Sequence, residues 1–248
     1  MKRVYGFIPQ KADERDFKFV RIVEVANLPS KIDLRYLLPQ VYDQGELGSC
    51  TANGIAAIIQ DDIIRQHQAS LMPSRLFIYF NERKLEGTIN QDAGANIRDG
   101  IKTINTLGVC DEHLWPYNIA SFKITPGTDC YAAAKLHKSL KYESVAQIEN
   151  SLKSALANGL PVVFGFQVKA SFESATVAKI GVYTPKAKEQ IMGGHCVVLV
   201  GYDDASKRFI VRNSWGDSWG QKGYFTMPYS EVLNANVSSD FWVIESMI

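Results

Sequence analysis

A thiol placed to act as a nucleophile stands at Cys50, in Gly48-Ser49-Cys50, six residues after Gln44 and at the head of the apolar run Thr51 to Ile59. The run reads as a buried helix. Its first turn would carry partial positive charge and unpaired N–H groups, both of which favour the thiolate. Far downstream, His195 follows Gly193-Gly194, and Asn213 opens Asn213-Ser214-Trp215-Gly216. A nucleophilic thiol needs a base within hydrogen-bond reach, and the base needs a third group that fixes its tautomer. An asparagine amide oxygen can accept the ring N–H without adding a second negative charge. The NH₂ of Gln44 and the backbone N–H of Cys50 could form an oxyanion hole. Singly, each residue has a commoner role: Cys50 as a small core residue, His195 as a hydrogen-bonded core histidine, Asn213 as a turn cap. The conjunction points to a thiol hydrolase.

Bulk properties set the frame. The 248 residues suffice for one large domain or two small lobes, and the formal net charge of +1 gives no footprint for nucleic acid or an anionic membrane. No run of about 18 apolar residues is present, so no membrane span is expected. Charged residues Lys11, Asp13, Glu14, Arg15 and Asp16 follow the first ten, where a signal peptide would need an apolar stretch. The expectation is a cytoplasmic protein, one exported by a signal-independent route, or one whose signal was removed ahead of this numbering. Of the four cysteines, Cys50 as a free nucleophile leaves three, which argues against a dense disulfide framework. A Cys110–Cys130 bridge is compatible with the spacing and stays open. No Cys-x-x-Cys occurs, and His67, His113, His137 and His195 lack zinc spacing, so no metal site is expected.

The elements that must position these residues are legible as periodicity. Residues 50–67 read as a central buried helix. Ser74 can cap a second through Lys84, with Gly87 beyond its end. Asn96 to Leu107 reads as a third, Tyr131 to Leu136 as a short fourth, and Ser144 as the cap of a fifth with Val145, Ile148, Leu152 and Leu156 on one face. Strands are expected at 161–168, 195–202, 208–212, 223–227 and 241–244, with Asp203 to Ser206 as a hairpin connection. Helices first and strands later argue an α+β fold in two lobes with a cleft between them.

The segments Gln44 to Ala52, Gly194 to Tyr202 and Asn213 to Gly223 resemble the active-site segments of papain-like cysteine proteases. Cys50 and His195 are 145 residues apart, and His195 and Asn213 are 18 apart; both suit that family. The resemblance covers residues 28 to 248 and implies a papain-like fold, with a mainly helical lobe (28–118) and a mainly β, barrel-like lobe (119–248). Residues 1–27 stand outside it as an arm or short pro-segment. The resemblance implies Cys50 as nucleophile, His195 as base and then acid, Asn213 as its orienter, Gln44 in the oxyanion hole and Trp215 as the indole shielding the Asn–His hydrogen bond. Trp219 reads as a packing residue. Gly94 and Ala95 align with the backbone edge that pairs with extended substrate, with Gly194 beside His195, and Asn96 and Ile97 would line the main specificity pocket.

The expected activity is that of an endopeptidase working through a thioester acyl-enzyme. Its partner is a polypeptide substrate, and it needs no metal or organic cofactor. The chain is expected to be monomeric. Two alternatives share the site: acyl transfer to an amine, and a weakly active binding homologue. Two positions depart from the family pattern. Leu47 stands where the family usually has a cysteine, whose disulfide partner would fall near Asp92 to Asn96, and Thr51 replaces a common aromatic residue. The arm, with Tyr5, Phe7, Ile8, Phe17, Phe19 and Val20, leaves three possibilities open: an inhibitory strap over the cleft, a brace between the lobes, or disorder.

Overall fold

The computed structural model describes residues 3–66, 71–186 and 188–247. Helix α1 (Cys50–Arg65) is buried on almost every side because its first half is small and apolar, which lets neighbours approach closely. A Cβ on Gly54 would stand 3.1 Å from Cys196 Sγ and from a Val163 methyl, so α1 packs directly onto the sheet. Helix α2 (Arg75–Leu85) starts where Ser74 accepts from the Phe77 N–H, as expected of that cap. Helix α3 (Ile97–Thr106) flanks both. Three of these helix starts agree with the sequence reading to within one residue. The short fourth helix, α4 (Thr128–Ala134), begins three residues earlier than its pattern indicated.

The strands are β1 (Lys31–Asp33), β2 (Ser139–Ser144), β3 (Val162–Lys169), β4 (Ile191–Asp203), β5 (Arg208–Arg212), β6 (Tyr224–Pro228) and β7 (Ser238–Met247). They form one sheet in the order β2-β7-β3-β4-β5-β6, with β1 added to β4. Every pairing is antiparallel. Asp203 and Arg208 are paired across the β4–β5 connection, which confirms the hairpin. Helices α5 (Glu149–Ala157), α6 (Ala175–Ile180) and α7 (Tyr229–Val232) lie between strands.

Two expectations need correction. Ser144 does not cap a helix: it ends β2, pairs with Trp242 and bonds to the Phe17 carbonyl. The strand edge of β7 claims this segment, and α5 begins only at Glu149, with Leu152 and Leu156 on its buried face. Helix α6 was not foreseen. It is six residues long, with Ser174 accepting from the Val177 N–H and Gly181 at φ 62° as its stop.

Two apolar cores result. One joins α1, α2 and α3 to Cys130, Trp242 and Ile244; the other fills the face of the sheet around Phe164, Phe166, Phe172, Phe209 and Phe225. Among the described residues, no helix is long and apolar enough to cross a membrane.

Candidate active site

Cys50 is the first residue of α1, and the loop before it is held by a set of hydrogen bonds. The Gln44 N–H donates to the Ser214 carbonyl (2.9 Å), and its Oε1 accepts from the Ser214 hydroxyl (2.6 Å). Its Nε2 donates to the Leu47 carbonyl (2.9 Å). The Tyr117 hydroxyl donates to the Gln44 carbonyl (2.9 Å) and lies 2.5 Å from the Ser49 hydroxyl. The Gly48 N–H donates to both carboxylate oxygens of Asp92 (3.0 Å each), and the Tyr79 hydroxyl donates to the same carboxylate. With Leu47 in place of a cysteine, a hydrogen-bonded staple through Asp92 joins this loop to the segment before Gly94.

His195 sits within β4, opposite Phe166 of β3. Its Nε2 is 2.8 Å from Asn213 Oδ1, which also accepts the Ser214 N–H at 2.8 Å. An oxygen in this position only accepts, so the proton resides on Nε2 and Nδ1 is left with a free lone pair. Nδ1 is buried and has no hydrogen-bond partner. The Trp215 ring stacks on the imidazole at a centroid distance of 5.1 Å and 27°. Trp219 is buried against Trp215, Phe172 and Phe225 and packs the β side. The Cys50 thiol reaches the backbone N–H of Cys196, the residue after His195, so α1 presents the thiol to the segment of β4 that carries the histidine.

The N-terminal arm runs through that point. Arg3 lies over the Trp215 ring (4.5 Å), and Tyr5 packs edge-on against His195 (5.9 Å). Gln44 Nε2 also points to the Val4 carbonyl at 3.3 Å, and the Gly6 N–H faces the Cys50 thiol. The Phe7 N–H donates to the Gly194 carbonyl (3.0 Å). Phe7 then bridges Ala95 in parallel: the Ala95 N–H donates to the Gly6 carbonyl (2.8 Å) and the Ile8 N–H to the Ala95 carbonyl (3.1 Å).

Glycines make this route possible. A Cβ on Gly6 would overlap the Gly48 carbonyl, one on Gly94 (φ +74°) would overlap the Gly6 carbonyl, and one on Gly165 would overlap the Phe7 ring. Further along, Arg98 pairs with Asp16 (2.5 Å), the Gln10 N–H donates to Asp240 (3.0 Å), and Phe19 is buried in the sheet-side core.

Burial controls the charges. With the arm seated, Cys50 and His195 are both fully buried. Desolvation pushes the Cys50 thiol up to about 11, against hydrogen bonds from Cys196 and Gly6 that favour the thiolate. Desolvation pulls His195 down to about 4, opposed by its bond to Asn213 and assisted by nearby Arg3. The thiolate expected from the helix start is therefore not the form favoured here: exclusion of water outweighs the helix end. Near neutral pH the pair rests as thiol and neutral imidazole.

Of the remaining sequence candidates, Gly94, Ala95 and Gly194 all contact the arm. Asn96 is turned away, its backbone N–H and amide both donating to Glu86, and Ile97 is fully buried in the helical core. Asp92, Tyr117, Ser214 and Gly165 were not singled out from sequence. Only Ser214, adjacent to Asn213, carried a signal in a motif. His67 lies outside the described residues. Among those described, no three His, Cys, Asp or Glu side chains converge as a metal site.

Comparison with known proteins agrees with this geometry. The profile of the papain family cysteine proteases matches residues 28–242. An uncharacterized peptidase C1-like protein of Acanthamoeba polyphaga mimivirus is 45% identical, aligned over 100% of this chain and 88% of its own. Cathepsin B-like CP3 of Giardia intestinalis is 27% identical over 82% of this chain and 70% of its own. The crystal structure of xylellain, a cysteine protease from Xylella fastidiosa, superposes with a TM-score of 0.92 at 44% identity, covering 98% of this chain and 96% of that one. A thiol at a helix start, a histidine held by an asparagine and a two-lobed α+β frame thus have one common source: the chain belongs to the papain family of cysteine proteases and is a peptide-bond hydrolase.

Proposed function

We propose that the chain is a cysteine-type endopeptidase held inactive by its own N-terminal arm. In the working enzyme, Nδ1 of His195 takes the Cys50 proton and the sulfur attacks a peptide carbonyl. Gln44 Nε2 and the Cys50 N–H hold the resulting oxyanion. The C–N bond breaks as His195 returns its proton to the leaving amine. Water, deprotonated by His195, then cleaves the thioester and releases the acid. Asn213 keeps the imidazole in the required tautomer, and Trp215 shields their bond from water.

One observation carries this reading. A main-chain carbonyl, that of Val4, stands 3.3 Å from Gln44 Nε2, and two residues on the Gly6 N–H faces the Cys50 thiol. The site accepts polypeptide backbone where the oxyanion would form. The leaving amine must emerge beside His195, and the acyl part must lie toward Ala95. The arm runs the other way, with Arg3 at Trp215 and Phe7 at Ala95. Its peptide bonds are reversed with respect to attack, so the seated arm is a poor substrate.

The test uses the Gly6→Val chain, whose arm cannot seat, with and without Cys50→Ala. Casein cleavage and labelling by an epoxide-type thiol reagent are read by product analysis and intact mass. Cleavage and single labelling should both depend on Cys50. Labelling confined to Cys110, Cys130 or Cys196 would overturn the assignment. His195→Ala in the same background should lower turnover by about 10³-fold. Product masses with added amines separate hydrolysis from acyl transfer.

A further inference from the structure

Cys110 and Cys130 are twenty residues apart in the chain and take no part in the chemistry above. Cys110 lies on the segment after α3, and Cys130 is the third residue of α4. Both are free and almost wholly excluded from solvent, at 0% and 1% exposure. The two thiols are near enough to perturb each other within the same core, and Cys130 Sγ lies 3.8 Å from the Leu114 carbonyl, four residues beyond Cys110. The remaining buried thiol, Cys196, neighbours Cys50 instead. No carboxylate or imidazole completes a metal-binding set at the pair among the described residues. Two neighbouring buried thiols without such a set around them are placed for oxidation to a disulfide.

We propose that Cys110 and Cys130 form a disulfide-forming site whose cross-link closes the loop between them. The reaction breaks two S–H bonds and makes one S–S bond. Its two electrons and two protons pass to a small-molecule disulfide such as glutathione disulfide, which leaves as two thiols. Burial raises both thiols in the folded chain, so exchange there is slow and the bond forms as the chain folds.

The enclosed loop is not idle. Glu112 pairs with Arg75, the Trp115 carbonyl accepts from the Ser74 hydroxyl (2.7 Å), and Tyr117 donates to the Gln44 carbonyl (2.9 Å). The Cys110 carbonyl itself accepts the Ser74 N–H (2.9 Å). The cross-link therefore fastens α4 to the start of α2 and to the loop that props Gln44.

The test is independent of peptidase activity. A Cys50→Ser chain, with three thiols left, is unfolded, reduced, and refolded either in glutathione/glutathione disulfide or in dithiothreitol. In the oxidising buffer we expect one titratable thiol in denaturant instead of three, and a mass lower by two hydrogens. A proteolytic fragment should join the peptides of Cys110 and Cys130, and the midpoint of thermal unfolding should rise by about 5 °C. Three free thiols, separate glutathione adducts, a link through Cys196, or no rise in midpoint would overturn the proposal. A second chain carrying Cys110→Ser and Cys130→Ser as well should unfold at the same temperature in both buffers. A redox-dependent midpoint there would also overturn it.

Discussion

Phe7 lies alongside Ala95 in parallel register, held by one hydrogen bond on each side: Ala95 N–H to Gly6 and Ile8 N–H to Ala95. This seating depends on a bare Gly6. Gly6→Val places a side chain in the Gly48 carbonyl, and the arm should leave the cleft without being cut. Wild type and variant should differ by at least tenfold in Cys50 labelling rate, the variant being faster. Equal rates would show that the arm does not control access.

Protonation should loosen the same contact. His195 is held at about 4 in the buried site, against an ordinary value of 6.5. An uncovered imidazole regains water and binds protons more readily. Between pH 6.5 and 4, the arm-free state therefore holds more protons than the arm-seated one, and acidification favours release. Above that window this group contributes no pH dependence. The full shift corresponds to at most about 300-fold in the seating equilibrium. Hydrogen exchange at the Phe7, Ile8 and Ala95 amides, corrected for intrinsic rate, should accelerate as pH falls through the window. Arg3 and the Tyr5–Glu173 hydrogen bond face the same point, so Glu173→Gln serves as the control.

Gly165 sets the room available to Phe7. Gly165→Val should expel the ring, and in the Gly6→Val background it should lower kcat/KM for substrates with a large apolar group at that position while sparing those with alanine there. Peptides differing only at that position make the comparison. An unchanged ratio would remove Gly165 from the pocket.

Asp92 holds the Gly48 N–H two residues before the nucleophile. Asp92→Ala leaves that donor unpaired and takes the acceptor from the Tyr79 hydroxyl, which keeps only the Gly94 N–H. A loss of about 1–3 kcal/mol in stability is expected from denaturant unfolding. In the Gly6→Val background, kcat should fall more than KM rises, because the change reaches the oxyanion donors rather than the cleft walls.

The family and the candidate site were legible in the sequence because Gln44, Cys50, His195 and Asn213 each sit in a short contiguous motif. The strands leading to them were legible because Pro161–Val168 and His195–Tyr202 are apolar runs. The missing parts depended on distant partners. Ser144 has the local character of a helix cap, yet the open edge of β7 makes it strand. Asn96 looked available to substrate until Glu86 claimed its amide. The path of residues 3–8 has no period of its own and is set by Ala95 and Gly194. The ionisation of Cys50 could not be read from a helix start alone, since it depends on what covers the cleft.

The strap remains joined to the body through Asp16–Arg98 and the buried Phe19, with Phe17 and Val20 exposed beside them at 66% and 75%. If the arm blocks the cleft as proposed, then while the chain is continuous it stays at a fixed local concentration, and diluting the protein cannot relieve it. A single nick near those exposed residues would turn this unimolecular plug into a dissociable peptide. Onset of activity would then depend on how dilute the enzyme is as well as on whether it has been cut.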